Sequence, residues 1–254
     1  MMRKTRSLVA ATLLLVVGVG APVIAQEAPG AIAQVIVSRA KAGSEKQFQE
    51  GRKRHMAWHK KQNDSWTWSV WEVTSGPSTG AFLSMSPGHS WKDFDDWEAR
   101  LGQGDAVDVE ANLTPHSEST TISYYEYLPD LSRPASATPK MSEVIHFLLK
   151  PARESEFRHA QRRVHEAIGK TSWPARYSWY ALVNGGEAPH LVLVLPRESY
   201  AEMAEPELSF AGMLTKAFGS YEAGVILEAI GESTKTQWSE LLVYRPDLSH
   251  VPVP

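Results

Sequence analysis

The sequence predicts an α+β fold built from two tandem units, each with the element order βαββαβ. Three observations predict it. First, the phrase Tyr127-Leu128-Pro129-Asp130-Leu131-Ser132 recurs as Tyr244-Arg245-Pro246-Asp247-Leu248-Ser249. Second, residues upstream of each phrase match at a constant offset of 109: Val35-Ile36 with Val144-Ile145, Lys41 with Lys150, Glu45 with Glu154, Phe48 with Phe157, Gly76 with Gly185, Pro87 with Pro196. The closing phrase, and Gly102 with Gly219, match at 117, which places eight extra residues in the second copy between about 200 and 217. Third, both copies run through the same order of hydrophobic periods.

Each copy opens on an apolar or β-branched run, 33–39 and 143–149, read as a strand. An amphipathic helix follows at 44–61 and 153–169, with apolar residues three and four apart. Runs 66–73 and 80–86, and 175–183 and 190–195, read as hairpins joined by turns containing Gly76-Pro77 and Gly185-Gly186. A second helical region is expected near Ser90 and near Ser199, each placed as an N-cap. The last strand, 119–127 and 236–244, stops at the Pro-Asp phrase, because proline has no N–H to give the ladder. Residues 133–140 form a Pro/Ala/Ser linker. The chain therefore divides into a leader, 1–25, and two ferredoxin-like units, 26–134 and 135–254. A lone unit leaves one sheet face bare, and two units can cover each other's.

The leader has the order of an export signal: Arg3, Lys4 and Arg6, an apolar run from about Leu8 to Val19, then Ala21-Pro22-Val23-Ile24-Ala25 with small residues before a cleavage point at Gln26. The run is shorter than the ~18–20 residues a membrane span needs. The expectation is an exported protein, periplasmic or secreted, with no membrane anchor after cleavage. Cleavage removes three positive charges and takes the net charge from −3 to −6. That argues against nucleic acid, which needs clustered Lys and Arg. There is no cysteine, which excludes disulfides, thiolate nucleophiles and Cys-ligated metals.

The tandem layout, unit length and leader resemble the dimeric α+β barrel superfamily, which includes antibiotic-biosynthesis-monooxygenase and NIPSNAP-like proteins. Here both units lie in one chain, a pseudo-dimer that stands as a monomer or pairs further. The resemblance implies a ligand held between helices and sheet and, for an enzyme, a cofactor-free or metal-assisted monooxygenase- or isomerase-like activity. Chlorite-dismutase-like haem proteins share the two-unit plan, with the haem histidine on the first helix of the second unit. His165 lies on that helix, on the flank of its apolar stripe, so haem ranks below a divalent metal here. No serine elbow, P-loop or dinucleotide fingerprint is present.

The two copies disagree at one informative place. The second copy's first helix buries Phe157, Ala160, Val164, Ala167 and Ile168. At the offset of 109 the first copy has Phe48, Gly51, His55, Trp58 and His59. His55 and His59 are four apart and project from one face. Imidazoles one turn apart suit a shared metal ion, acid–base work or a buried polar ligand. His89 and Asp93 are candidates for a third ligand. Six of nine tryptophans lie in the first copy, and Trp66 and Trp68, read as alternating on one strand, are expected to line the same pocket with His55 and His59. His146 stands mid-strand, where a bonded core histidine is the simpler reading. The expectation is a small, partly apolar ligand in the first unit; the competing class is a non-catalytic structural or interaction protein whose duplication only completes the barrel.

Overall fold

A computed structural model describes residues 30–252; the leader expected at 1–25 lies outside them. The first unit contains β1 (Ile32–Ala40), α1 (Glu45–Lys61), β2 (Ser69–Ser75), β3 (Ala81–His89), α2 (Trp91–Trp97), α3 (Gln103–Asn112) and β4 (Ser117–Tyr127). The second contains β5 (Met141–Leu149), α4 (Glu154–Thr171), β6 (Ser178–Asn184), β7 (His190–Arg197), α5 (Phe210–Phe218), α6 (Ser220–Ser233) and β8 (Thr234–Tyr244). Among the described residues these eight strands close into one antiparallel barrel in the order β1-β3-β2-β8-β5-β7-β6-β4. Within each half the order is that of a ferredoxin-like sheet, with the chain's first strand between its last and third. No helix among the described residues is long and apolar enough to cross a membrane.

The two sheets do more than cover each other's bare faces. They also pair edge to edge, β2 with β8 and β4 with β6, so among the described residues no edge strand is left to recruit another chain. Alternation along each strand then sorts side chains inward and outward. Val73, Ala81, Val144, Val192 and Leu242 pack inside the barrel, while Phe147, Leu149, Trp179 and Leu191 face the outer helices of the second unit.

The repeated phrase is the clasp between the units. Each copy forms a short 3-10 turn, Pro129–Leu131 and Pro246–Leu248. The serine closing each turn donates to the carbonyl four residues back, and its oxygen accepts a strand N–H from the other unit: Trp179 for Ser132 and Val70 for Ser249, both at 2.9 Å. Gly76 and Gly185 match for a related reason. Both have φ near +90°, and a Cβ there would lie 2.5 Å from Ser239 O or 2.4 Å from Ile122 O, on the strand across the seam. Only glycine permits both the conformation and the approach.

Three local expectations are corrected. Strand β2 begins at Ser69, not 66. Trp68 makes an isolated bridge to His250, and Trp66 sits in the preceding loop, where its N–H turns to Asp64. In the second unit, Ser199 introduces only a 3-10 turn; the helix starts at Phe210, capped by Ser209, whose hydroxyl accepts from the Gly212 N–H at 3.1 Å. The extra residues of the second copy form this longer approach. Ser90 does cap α2, in a reciprocal capping box with Asp93.

Candidate metal centre

The face of α1 turned to the sheet carries Arg52, His55 and His59, all buried. Steps of 100° put residues 52, 55 and 59 within about 60° of one another around the axis. Gly51 lets α1 come close to the end of α3: a Cβ there would stand 1.9 Å from the carbonyl oxygen of Asn112. That approach brings the carboxylates of Asp105 and Asp108, one turn apart on α3, to the histidine pair.

Each imidazole is held through Nδ1. His59 Nδ1 donates to Asp64 Oδ2 at 2.9 Å, and His55 Nδ1 donates to Asp108 Oδ1 at 2.9 Å. Carboxylates behind the ring fix orientation and tautomer, as partners of metal-bound histidines do. The two Nε2 atoms then face each other at 3.1 Å. Asp105 Oδ1 completes a triangle, 3.5 Å from each. With both Nδ1 positions protonated, all three atoms are acceptors and no donor lies among them. Ligands about 2.1 Å from one ion are separated by about 3.0–3.4 Å in octahedral or tetrahedral geometry. The triangle His55, His59, Asp105 has that size.

Asp64 anchors the arrangement. Its side chain is fully buried and accepts from His59 Nδ1, the Trp66 N–H (3.2 Å), Trp68 Nε1 (3.1 Å), Trp97 Nε1 (3.2 Å) and Arg100 Nη2 (3.4 Å). Burial pushes its carboxyl up, but the bonds from His59, Trp66 and Trp68 outweigh burial and hold it down at about 2. It is a carboxylate at any ordinary pH and so an acceptor facing His59 Nδ1. Burial, then repulsion from His59, lowers His55 to about 4. Burial raises Asp105 to about 6, with Asp108 and Asp64 adding repulsion against the attraction of His59.

A five-residue π-helical turn, Glu98–Gly102, joins α2 to α3. Such turns shift the register of a helix by one residue. Here Trp97 and Arg100 reach Asp64, while Asp105 and Asp108 reach the histidines from the same continuous helical segment. The second unit closes the site from the other side. His250 exchanges backbone hydrogen bonds with Trp68, its Nε2 donates to the Asp64 carbonyl at 2.9 Å, and its ring stacks 5.9 Å from His59. The first unit's site is therefore completed by the last residues of the second.

A cavity of about 590 Å³ opens on the triangle, bounded by β1, β4, α1 and α3. Trp68 and Trp97 line it; Trp66 stands behind, stacked on His89 at 3.6 Å and beside Trp97 at 5.3 Å. Neither sequence candidate for a third ligand serves. His89 accepts or donates to Ser86 Oγ at 2.8 Å under Trp66, and Asp93 is spent on the exposed cap of α2. The third acceptor is Asp105. Sequence reasoning missed Asp64, Asp105, Asp108, Arg52 and His250. Extending the copy-to-copy comparison finds two of them, since Asp64 and Asp108 stand opposite Trp173 and Val225.

The same comparison explains the cavity. Outward from the sheet, the first unit has Ser38, Ser84 and Ser86, all buried, where the second has Phe147, Leu193 and Leu195. Those larger residues fill the helix–sheet space of the second unit together with Ile168, Met213 and Leu214. His165, on that unit's first helix, bonds the Tyr177 hydroxyl at 2.9 Å. His146 faces the barrel interior, where a separate cavity of about 310 Å³ lies. Its Nδ1 pairs with His190 at 3.1 Å and its ring stacks on Trp238 at 4.7 Å, while its Nε2, 3.6 Å from Glu240, is buried without a hydrogen-bond partner, so the histidine is only half satisfied.

No protein-family profile matches this sequence, and no curated protein matches it. Solved structures do match the fold. A candidate monooxygenase from Lactobacillus acidophilus superposes with a TM-score of 0.54 at 8% identity, over 88% of this chain and 97% of that one. An anthrone oxidase-like protein gives 0.50 at 11% identity, over 86% and 92%. A chlorite dismutase from Candidatus Nitrospira defluvii gives 0.51 at 8% identity, over 87% and 93%. At such identities the likeness carries architecture alone: the chain has the dimeric α+β barrel fold, with both ferredoxin-like units in one polypeptide.

Proposed function

We propose that the first unit binds a divalent metal ion on His55 Nε2, His59 Nε2 and Asp105 Oδ1 and uses it on a small, partly apolar molecule held in the adjoining cavity. The observation that carries this reading is the meeting of three acceptor atoms, each within 3.5 Å of the others, with both imidazoles locked from behind by carboxylates. Three converging acceptors without a donor, two of them buried, repel, and a cation between them turns repulsion into ligation. Two imidazoles and one carboxylate leave coordination positions free, an arrangement that suits oxygen activation by iron(II) or Lewis-acid catalysis by zinc. A metal-assisted monooxygenase- or isomerase-like reaction follows as the activity class, in keeping with the candidate monooxygenase and anthrone oxidase-like protein that share the fold. Haem fits less well. His165 is bonded to Tyr177, and the space between helix and sheet beside it is filled with side chains. The leader supports export, so the periplasm or the exterior is the proposed place of action.

The test is elemental analysis of untagged protein, followed by calorimetric titration with zinc and, without oxygen, iron(II). Wild type should bind one equivalent. The double variant His55→Val with His59→Ile, which installs the second copy's residues, should bind none while keeping its fold. Metal-free protein that takes up neither ion sinks the proposal, as does a double variant that binds like wild type.

A further inference from the structure

Arg52 is a buried cation with no counter-ion. It is only 4% exposed. Its Nη1 donates to Ser84 Oγ at 2.7 Å, its guanidinium lies 5.6 Å from the Phe48 ring centre, and its Nε is buried without any partner. Among the described residues no carboxylate comes within ion-pair distance of it, whereas buried charges are ordinarily paired. Burial alone drives its guanidinium down to about 10. Arg245, the half-buried arginine at the unit seam, shows what this fold does elsewhere: it is paired with both Glu72 and Asp247.

The position of Arg52 gives the missing charge a place. Arg52 lines the same cavity as His55, His59 and Asp105. It precedes His55 by three residues and His59 by seven, so its Cα lies about 4.5 Å and 10.5 Å from theirs along the helix axis. The second copy has uncharged Gln161 at this position, and its space is packed shut. Gln161 is buried and unbonded too, so what sets the first unit apart is that its unpaired group carries a charge and lines a cavity. The Arg52 fork of donors matches a carboxylate or an enolate-like pair of oxygens, and the Trp68 and Trp97 rings that line the same cavity at the His59 end suit an apolar body.

We infer that the cavity takes a small organic anion, a carboxylate with an aromatic or aliphatic body, whose charge is met by Arg52, one helical turn before His55. The inference names the substrate class for the proposed metal site and rests on that reading for its chemistry. The charge pairing itself needs no metal.

The experiment titrates purified protein with 3-phenylpropionate and with the neutral 3-phenylpropionamide, followed by tryptophan fluorescence and calorimetry, with and without zinc. Wild type should bind the acid at least tenfold more tightly than the amide. Arg52→Gln should erase that preference, leave zinc binding within threefold, and unfold no earlier than wild type. Arg52→Lys should keep part of the preference. Equal affinity for acid and amide, no measurable binding of the acid, or a preference that survives in Arg52→Gln overturns the inference, and the wild-type comparison decides even if a variant fails to fold. An acid preference without zinc uptake keeps the anion site and removes the metal centre. Zinc uptake without an acid preference does the reverse.

Discussion

Replacing Asp64 by Asn tests the centre without touching a proposed ligand. The change keeps shape and volume but turns one oxygen into an NH2 donor and removes the charge. In the native site five donors converge on the two oxygens, three of them ring N–H groups from His59, Trp68 and Trp97. An asparagine has one oxygen with two lone pairs. At least one ring N–H, and by the count of donors two or more groups, must then face another donor in a dry interior. Each buried donor left without an acceptor costs about 1–3 kcal/mol. The charge-assisted share of the His59 and Arg100 bonds is lost as well, although Arg100 is partly exposed and counts for little. The expected destabilisation is about 2–5 kcal/mol, read from urea denaturation midpoints of metal-free protein. Removing the group that orients His59 should also weaken zinc binding about 10- to 100-fold. Asp108→Asn is the matched control. Asp108 is partly exposed, so the variant should lose under about 1 kcal/mol while showing a comparable fall in zinc affinity. If Asp64→Asn loses less than about 1 kcal/mol and binds zinc within threefold of wild type, the reasoning that makes Asp64 the anchor is refuted.

Three further outcomes are expected. Gly76→Ala should cost more than Gly43→Ala: both residues have positive φ, worth about 1–3 kcal/mol of strain, but only at Gly76 does the new Cβ strike the neighbouring strand; equal denaturation midpoints would contradict the seam packing. Ser132→Ala and Ser249→Ala should each cost about 1–2 kcal/mol by orphaning a strand N–H, and equal losses would confirm that the phrase works symmetrically, while no loss in either would remove the clasp. The barrel interior should make stability depend on pH. Burial, then His146, lowers His190 to about 4, so the unfolded chain binds its proton more readily and the stability His190 supplies is present above about pH 6.5 and lost as pH falls toward 4; subtracting the profile of His190→Leu should isolate that loss, and identical profiles would exclude it.

The fold was legible because duplication writes each element twice. Chance apolar runs do not recur at an offset of 109, so even short strands could be placed within a few residues. Two kinds of boundary slipped: β2 and β6 start three residues later than read, alike in both copies, because Trp68 and Tyr177 make only isolated bridges there, and the helix expected near Ser199 starts later where the second copy is longer. Within the site, His55 and His59 were legible because the second copy's Val164 and Ile168 show what a plain core puts there. Asp105 was not. It lies beyond the insertion, opposite Glu222, so both copies carry an acid and the comparison is silent. What separates them is the partner: Asp105 meets the histidine pair, whereas Glu222 is held by Arg163. His250 was hidden for another reason: it belongs to the second unit in sequence and to the first in space.

The comparison between copies also bears on why one unit is solid and the other hollow. Phe147, Leu193 and Leu195 become Ser38, Ser84 and Ser86, and two further apolar positions become His55 and His59. In a packed core, large-to-small changes cost about 2–5 kcal/mol each, and unsatisfied polar groups add to that. A chain carrying such losses in both halves would have little stability left, given the 5–15 kcal/mol typical of a domain. Confined to one half they are tolerable, since the second unit keeps its full apolar core and the closed barrel ties the halves together through β2–β8 and β4–β6. The serines are not idle either: each bonds a neighbour, Thr120, Arg52 or His89, so the hollow is lined rather than merely vacant. Divergence after duplication thus assigns the roles. The second unit supplies stability and the closing residue His250, and the first is freed to give up packing for the polar groups that line its cavity.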